Sequence, residues 1–171
     1  IVNYQLLEKV GSLKGKIIMS TGMSTIDEID AALKVLIGSG TDRQNIILLH
    51  CNSQYPTLFK DVNLRAMATL KKHFCLQVGL SDHSMGIEVP IAAAARGACI
   101  IEKHFTLDND MEGPDHKCSL NPDDFTQMVS MIRNVELSLG TGEKTPTESE
   151  KKNIHFMRRS LVAKVSINKG E

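Results

Sequence analysis

Two histidines stand where a short apolar run gives out. His83 closes Leu76-Gln77-Val78-Gly79-Leu80-Ser81-Asp82, and His104 closes Ala98-Cys99-Ile100-Ile101-Glu102-Lys103. Between them, Ile87 to Arg96 has the length of one helix. The order strand, helix, strand puts an imidazole at the same end of each strand. In a parallel α/β sheet or barrel, that end gathers ligands and catalytic groups. Imidazole titrates near neutral pH and binds metals through its neutral form. Two of them on neighbouring strands can therefore converge on one metal ion. A lone histidine is more commonly a hydrogen-bonded structural residue, so the matched placement carries the argument. His50, inside a strand run, reads as such a structural residue, while His73 and His155 read as surface or linker positions.

The other strand ends are polar as well. The first ends Ser20-Thr21-Gly22-Met23-Ser24 and the second His50-Cys51-Asn52-Ser53-Gln54-Tyr55-Pro56. The third ends Ser81-Asp82-His83-Ser84, and the fourth Glu102-Lys103-His104-Phe105-Thr106. Hydroxyls and backbone N–H groups at such ends suit a phosphate or a carboxylate. At one end simple capping is the better explanation, but a series of ends would face one pocket. Glu102 and Lys103 read either as an outward pair or, for Lys103, as a partner for a substrate anion. The loop Leu107 to Lys117 is longer than the usual 2–6 residues of a βα connection, as lids and substrate clamps are. Within it, Gly113-Pro114-Asp115 has the look of a fixed turn presenting one acid. Walker, G-x-G-x-x-G, G-x-S-x-G and H-E-x-x-H motifs are absent from the chain.

These side chains need a scaffold, and the apolar pattern describes one. Runs at Lys16–Ser20, Asn45–Cys51, Leu76–Leu80 and Cys99–His104 predict strands buried on both faces. Helices are predicted between them: one over Asn3 to Val10 and one opened by Thr25 and Glu28 as a capping box. A third is capped by Asp61 and runs to His73; a last one opens at Asn121-Pro122-Asp123-Asp124 and ends at Gly140. Alternation of this kind implies a parallel sheet with right-handed crossovers. The fold class is thus α/β, either a small open sheet or half of a TIM-type (β/α)8 barrel. Residues 141–157 read as a polar linker, and Arg159 to Ile167 alternates as a strand opening a further domain at 158–171.

With 171 residues, 42 % of them hydrophobic, the chain can bury one sizeable core. Lys plus Arg and Asp plus Glu both number 20, and no basic run points to nucleic acid. Every apolar stretch falls short of the roughly 20 residues of a membrane helix. Cys51, Cys75, Cys99 and Cys118 form no C-x-x-C pair and read as reduced, buried thiols of a cytoplasmic protein.

Taken together, the strand-end strings resemble those of the sialic acid synthase family, which comprises N-acetylneuraminate synthase and its legionaminate and pseudaminate relatives. The strings are Ser20-Thr21-Gly22-Met23, Cys51 to Pro56, Asp61-Val62-Asn63-Leu64, Ser81-Asp82-His83, Glu102 to Asp108 and Gly113-Pro114-Asp115-His116. Arg159-Ser160-Leu161-Val162-Ala163 resembles the entry to that family's antifreeze-like (SAF) domain. The resemblance implies a synthase that condenses phosphoenolpyruvate with an N-acetylated amino sugar such as N-acetylmannosamine and releases phosphate. It also implies a divalent metal, Mn2+ with Mg2+ or Co2+ as substitutes, and a homodimer. By the same resemblance His83 and His104 hold the metal, and Ser20, Ser53 and Ser81 line the phosphoenolpyruvate pocket. Tyr55 and Asp115 act as catalytic and sugar-contacting residues, and Phe156 touches the N-acyl group. Asn52 departs from the Thr that many members carry.

Aligned in this way, the chain corresponds to strands five to eight of the barrel, residues 1–140, without the strand-borne lysines that pair with phosphoenolpyruvate. The expectation is that these residues alone are inactive and associate through their open edges. Two other readings remain at this point: another metal-dependent aldolase or phosphoenolpyruvate-using barrel enzyme, and a non-catalytic, self-associating half-barrel.

Overall fold

The computed structural model describes residues 1–171, which divide into two compact units, Ile1–Leu139 and Gly140–Glu171. The first unit runs α1 (Tyr4–Ser12), β1 (Ile17–Ser20), α2 (Ile26–Gly38), β2 (Ile46–Cys51), α3 (Arg65–Phe74), β3 (Gln77–Asp82), α4 (Glu88–Ala95), β4 (Ile101–Lys103) and α5 (Pro122–Leu139). The sheet order is β1-β2-β3-β4 with every neighbouring pair parallel. The parallel sheet is the one expected from the alternation, and of the two forms left open by it the structure has the half-barrel of (β/α) repeats that the family resemblance implies.

Local chemistry accounts for most of the boundaries. Thr25 accepts from the Glu28 N–H, and the Glu28 carboxylate accepts from the Thr25 N–H at 2.7 Å, so the capping box at α2 is complete. Asn121 accepts from the Asp124 N–H at 2.9 Å, and Pro122 takes the first helical position of α5. The start of α3 differs from the sequence expectation. Phe59–Asp61 forms a 3₁₀ turn, Asn63 has φ of 51°, and the helix begins at Arg65 with no side-chain cap. The extra turn consumes the residues that would have followed Asp61 into a helix.

Strand alternation sorts the sheet into two faces. Met19, Leu48, Val78 and Leu80 point to the helices and join Ile29, Leu33, Leu36, Leu70 and Phe74 in the main core. The opposite face carries Ile18, Ser20, Cys51, Ser81 and Glu102. Here Gly79 lets the chain pass close to its neighbours, since a Cβ would meet the Leu49 side chain and the Ile100 carbonyl. A smaller core of Ala94, Leu120, Met128 and Ile132 joins α4 to α5.

In the second unit, α6 (Glu148–Met157) occupies part of the segment expected as a linker, opened by a capping box of Thr147 and Glu150. Residues 158–171 form no strand and show no SAF fold. An alternating stretch becomes a strand only when a neighbour takes up its backbone hydrogen bonds, and no strand here pairs with it.

Candidate functional site

The register of β3 and β4 builds the site. Ser81 pairs with Glu102 and Asp82 with Lys103, so His83 and His104 follow as the next step of the ladder. Alternation then sends Ser81, His83, Glu102 and His104 to the inner face. The Ser81 hydroxyl donates to Glu102 Oε1 at 2.6 Å. The two imidazole rings stand edge to face, with centroids 5.2 Å apart. Tyr55 closes over both, its ring centroid 4.2 Å from that of His83 and 5.4 Å from that of His104.

His83 is held in one tautomeric sense. Its Nδ1 lies 2.6 Å from the Asn52 carbonyl, which can only accept, so Nδ1 carries the hydrogen. Nε2 is left to face a ligand, which is how metal-binding histidines are oriented by their outer partners. The Thr57 N–H donates to the His83 carbonyl at 2.8 Å, tying the β2–α3 loop to the site. With a second imidazole beside it, this donor set fits a divalent cation. The residues that would hold it are His83 and His104.

Ser20, Ser53, Ser81, Tyr55 and His83 line one cavity of about 240 Å³, together with Gly22, Cys51 and Glu102. A Cβ at Gly22 would collide with Ser53 Oγ and Cys51 Sγ, so only glycine leaves this wall open. Burial pushes the Cys51 thiol up from its ordinary value, which keeps it neutral and argues against a thiolate nucleophile. A larger cavity of about 550 Å³ lies along α2 and α3, but none of the residues expected at the site lines it.

Lys103 does not reach toward the cavity. Its Nζ meets Asp82 Oδ2 at 2.7 Å, with the two side chains 1 % and 2 % exposed, and it also donates to the Ser84 carbonyl. Asp82 Oδ1 in turn accepts from the Ser84 N–H and hydroxyl. Lys103 is thus committed to a buried pair on the helix side, which corrects both sequence readings: it neither reaches a substrate anion nor forms an outward pair with Glu102, because successive strand residues face opposite ways. Glu102, the other half of that dipeptide, lines the cavity.

His50 Nε2 lies 2.7 Å from the Val62 carbonyl, the structural role expected of it. Of the cysteines, Cys75 and Cys99 are exposed and Cys51 and Cys118 half-buried, so the expectation of buried thiols is corrected. The apolar runs around Cys75 and Cys99 end in turns at the amino ends of β3 and β4, which puts these side chains at the surface.

The loop after β4 is pinned rather than free. Leu120 donates to the His104 carbonyl and Thr106 to the Leu120 carbonyl, both at 2.9 Å. The Asn109 amide donates to the His116 and Ser119 carbonyls at 2.8 Å. This brings Asp115 beside His104: ligand atoms of His104, Asp115 and Cys118 lie within 4.8 Å of one another. Phe156 sits on α6 in the second unit and is 89 % exposed. Sequence reasoning missed Glu102 as a cavity wall and Cys118 as a neighbour of the site. Strand parity could have found the first, since Glu102 lies two residues before His104. The second depends on how a loop folds back.

The sequence pattern of the NeuB family matches residues 1–144. The chain belongs to the NeuB family. It is 52 % identical over 171 residues to N,N'-diacetyllegionaminic acid synthase of Campylobacter jejuni, covering 100 % of this chain and 51 % of that protein. It is 34 % identical over 169 residues to N-acetylneuraminate-9-phosphate synthase of Homo sapiens, covering 98 % and 46 %. Among solved structures, N-acetylneuraminic acid (sialic acid) synthetase from Leptospira borgpetersenii, in complex with citrate, superposes with a TM-score of 0.79 at 37 % identity. That match covers 90 % of this chain and 53 % of that one. This NeuB chain therefore spans about half the length of the curated relatives it matches.

Proposed function

We propose that the protein of which these residues form the site is a nonulosonate synthase, condensing phosphoenolpyruvate with an N-acetylated amino sugar such as N-acetylmannosamine and releasing phosphate. The observation that carries this reading is the convergence of two histidines, Tyr55 and three serine hydroxyls at one end of a NeuB-family sheet.

Ser20, Ser53 and Ser81 donate hydrogen bonds to the anionic groups of phosphoenolpyruvate, and Glu102 orients the Ser81 hydroxyl until the ligand arrives. Tyr55 covers the imidazoles and excludes water from the reacting carbons. Asp115, presented by the Gly113–Pro114 turn, accepts from the hydroxyls of the open-chain sugar. His83 Nε2 and His104 would hold the divalent cation, Mn2+ in the first place. When bound, that cation supplies Lewis-acid polarisation of the sugar carbonyl. C3 of the enol attacks the carbonyl carbon, water adds at C2, and phosphate departs with C–O cleavage. The whole protein works as a homodimer in the cytoplasm, and residues 1–171 alone release no phosphate.

Metal titration tests the reading. His83→Ala and His104→Ala each weaken Mn2+ binding by more than about tenfold, as loss of one of few protein ligands should. His73→Ala, on the exposed end of α3, changes nothing. Unchanged affinity in both site variants removes the metal from the proposal. Asp115→Asn lowers kcat/KM for the sugar at least about tenfold, or about 1.4 kcal/mol, with phosphoenolpyruvate affinity unmoved.

A further inference from the structure

We propose that His104, Asp115 and Cys118 form a second metal site, selective for a thiophilic divalent cation of the Zn2+ type, which shares His104 with the two-histidine site. The two occupancies exclude each other.

The cluster offers one imidazole nitrogen, one carboxylate oxygen and one sulfur, all within 4.8 Å of one another. His83 is not a member, so this donor set differs from the pair of imidazoles under Tyr55. Nitrogen, oxygen and sulfur together suit Zn2+, which takes a tetrahedral shell at about 2.0–2.3 Å and leaves a fourth position for water. Ligands at those bond lengths sit roughly 3.3–3.8 Å apart, so closing the shell draws the three donors in by about 1 Å. Asp115 is exposed and Cys118 half-buried, and side-chain rotation supplies such a movement.

The backbone beneath is already fixed. Ser119 Oγ donates to the Asp115 carbonyl at 2.7 Å, and Leu120 is bound to the His104 carbonyl at 2.9 Å. The Cys118 thiol now donates to the Asp115 carbonyl at 3.2 Å. On metal binding its proton passes to solvent, and the thiolate takes the cation. A thiolate favours Zn2+ or Co2+ over Mn2+, whereas imidazoles alone discriminate less. If the proposed function holds, on which this consequence and the competition for His104 rest, Zn2+ at this site takes both His104 and Asp115 out of the synthase reaction.

Cobalt tests the site without reference to activity, because thiolate ligation gives Co2+ a near-ultraviolet charge-transfer band. The purified chain develops that band on titration with Co2+. Cys118→Ser and Cys118→Ala abolish it, while Cys99→Ser and His83→Ala retain it. In parallel, Cys118→Ser weakens Zn2+ binding by about tenfold or more in calorimetry and leaves Mn2+ affinity unchanged. A wild-type chain without the band overturns the proposal, as does a band that survives both Cys118 variants or disappears in His83→Ala. Mn2+ affinity indifferent to His83→Ala, with the cobalt band intact, would sink the two-histidine reading and leave this site standing.

Discussion

At the carboxyl ends of β3 and β4, successive residues enter two unlike environments. Asp82 and Lys103 turn to the helices, where they pair at 2.7 Å with side chains 2 % and 1 % exposed. Ser81 and Glu102, one residue earlier on each strand, turn the other way and meet across an open cavity. His83 and His104, one residue later, return to that open face. One ladder thus carries a dry, fully satisfied ion pair between two wetter layers of ligand-ready groups, in which Glu102 is exposed and both imidazoles are half-buried, while Ser81 itself is 3 % exposed. The dry layer holds the strand ends in register, and the wet layers keep their hydrogen-bonding capacity for something else. Rigidity and reactivity sit on alternate residues, one strand rise of about 3.3 Å apart along the chain.

Breaking the dry layer has the largest expected effect. Lys103→Ala leaves Asp82 as an unpaired buried charge and costs about 3–5 kcal/mol in denaturant unfolding. Lys103→Met combined with Asp82→Asn recovers most of that loss, since neither charge then remains buried. A single variant with near-native stability would show that the pair is solvated and that the two faces do not differ as described.

The wet layer responds differently. Ser81→Ala removes one bond to the exposed Glu102 and costs only about 0.5–1.5 kcal/mol, yet on the proposed function it weakens phosphoenolpyruvate binding. Ligand-free unfolding and anion titration separate the two consequences. A loss of stability as large as that of Lys103→Ala would place Ser81 in the structural layer instead.

The smallest effect lies away from both layers. Hydrogen bonds from the Thr25 N–H and hydroxyl hold the exposed Glu28 carboxyl below its ordinary value of 4.5. A lowered folded value means that its contribution is present above about pH 4.5 and fades as the pH falls through the folded value. Glu28→Gln is therefore slightly less stable than the parent near pH 7, and the gap narrows in acid. A gap that widens in acid would reverse this sign.

Much of the architecture was legible because its signals are local. Apolar runs placed the four strands to within a few residues, and Thr25 with Glu28 and Asn121 with Pro122 marked helix starts through bonds that span three residues. Asp61 shows the limit of such signals. Its side chain was a plausible cap, but a 3₁₀ turn and the left-handed Asn63 delayed α3 to Arg65. Arg159–Ile167 failed as a strand for a related reason, since alternation specifies a face and not the partner that must cover it.

For the candidate site, positions past strand ends already nominated His83 and His104, the family resemblance of the strand-end strings added Tyr55 and the three serines, and the α/β class followed from the βα rhythm. The first and last of those readings need only the period of a strand and the chemistry of an imidazole. Tertiary structure alone decided that Lys103 is spent on Asp82, that Glu102 faces the cavity, and that Cys118 comes back beside His104. Each depends on which strand lies next, in what register, and on how a loop returns. Such contacts between residues distant in the chain are set by packing of the whole sheet, and no short stretch of sequence encodes them.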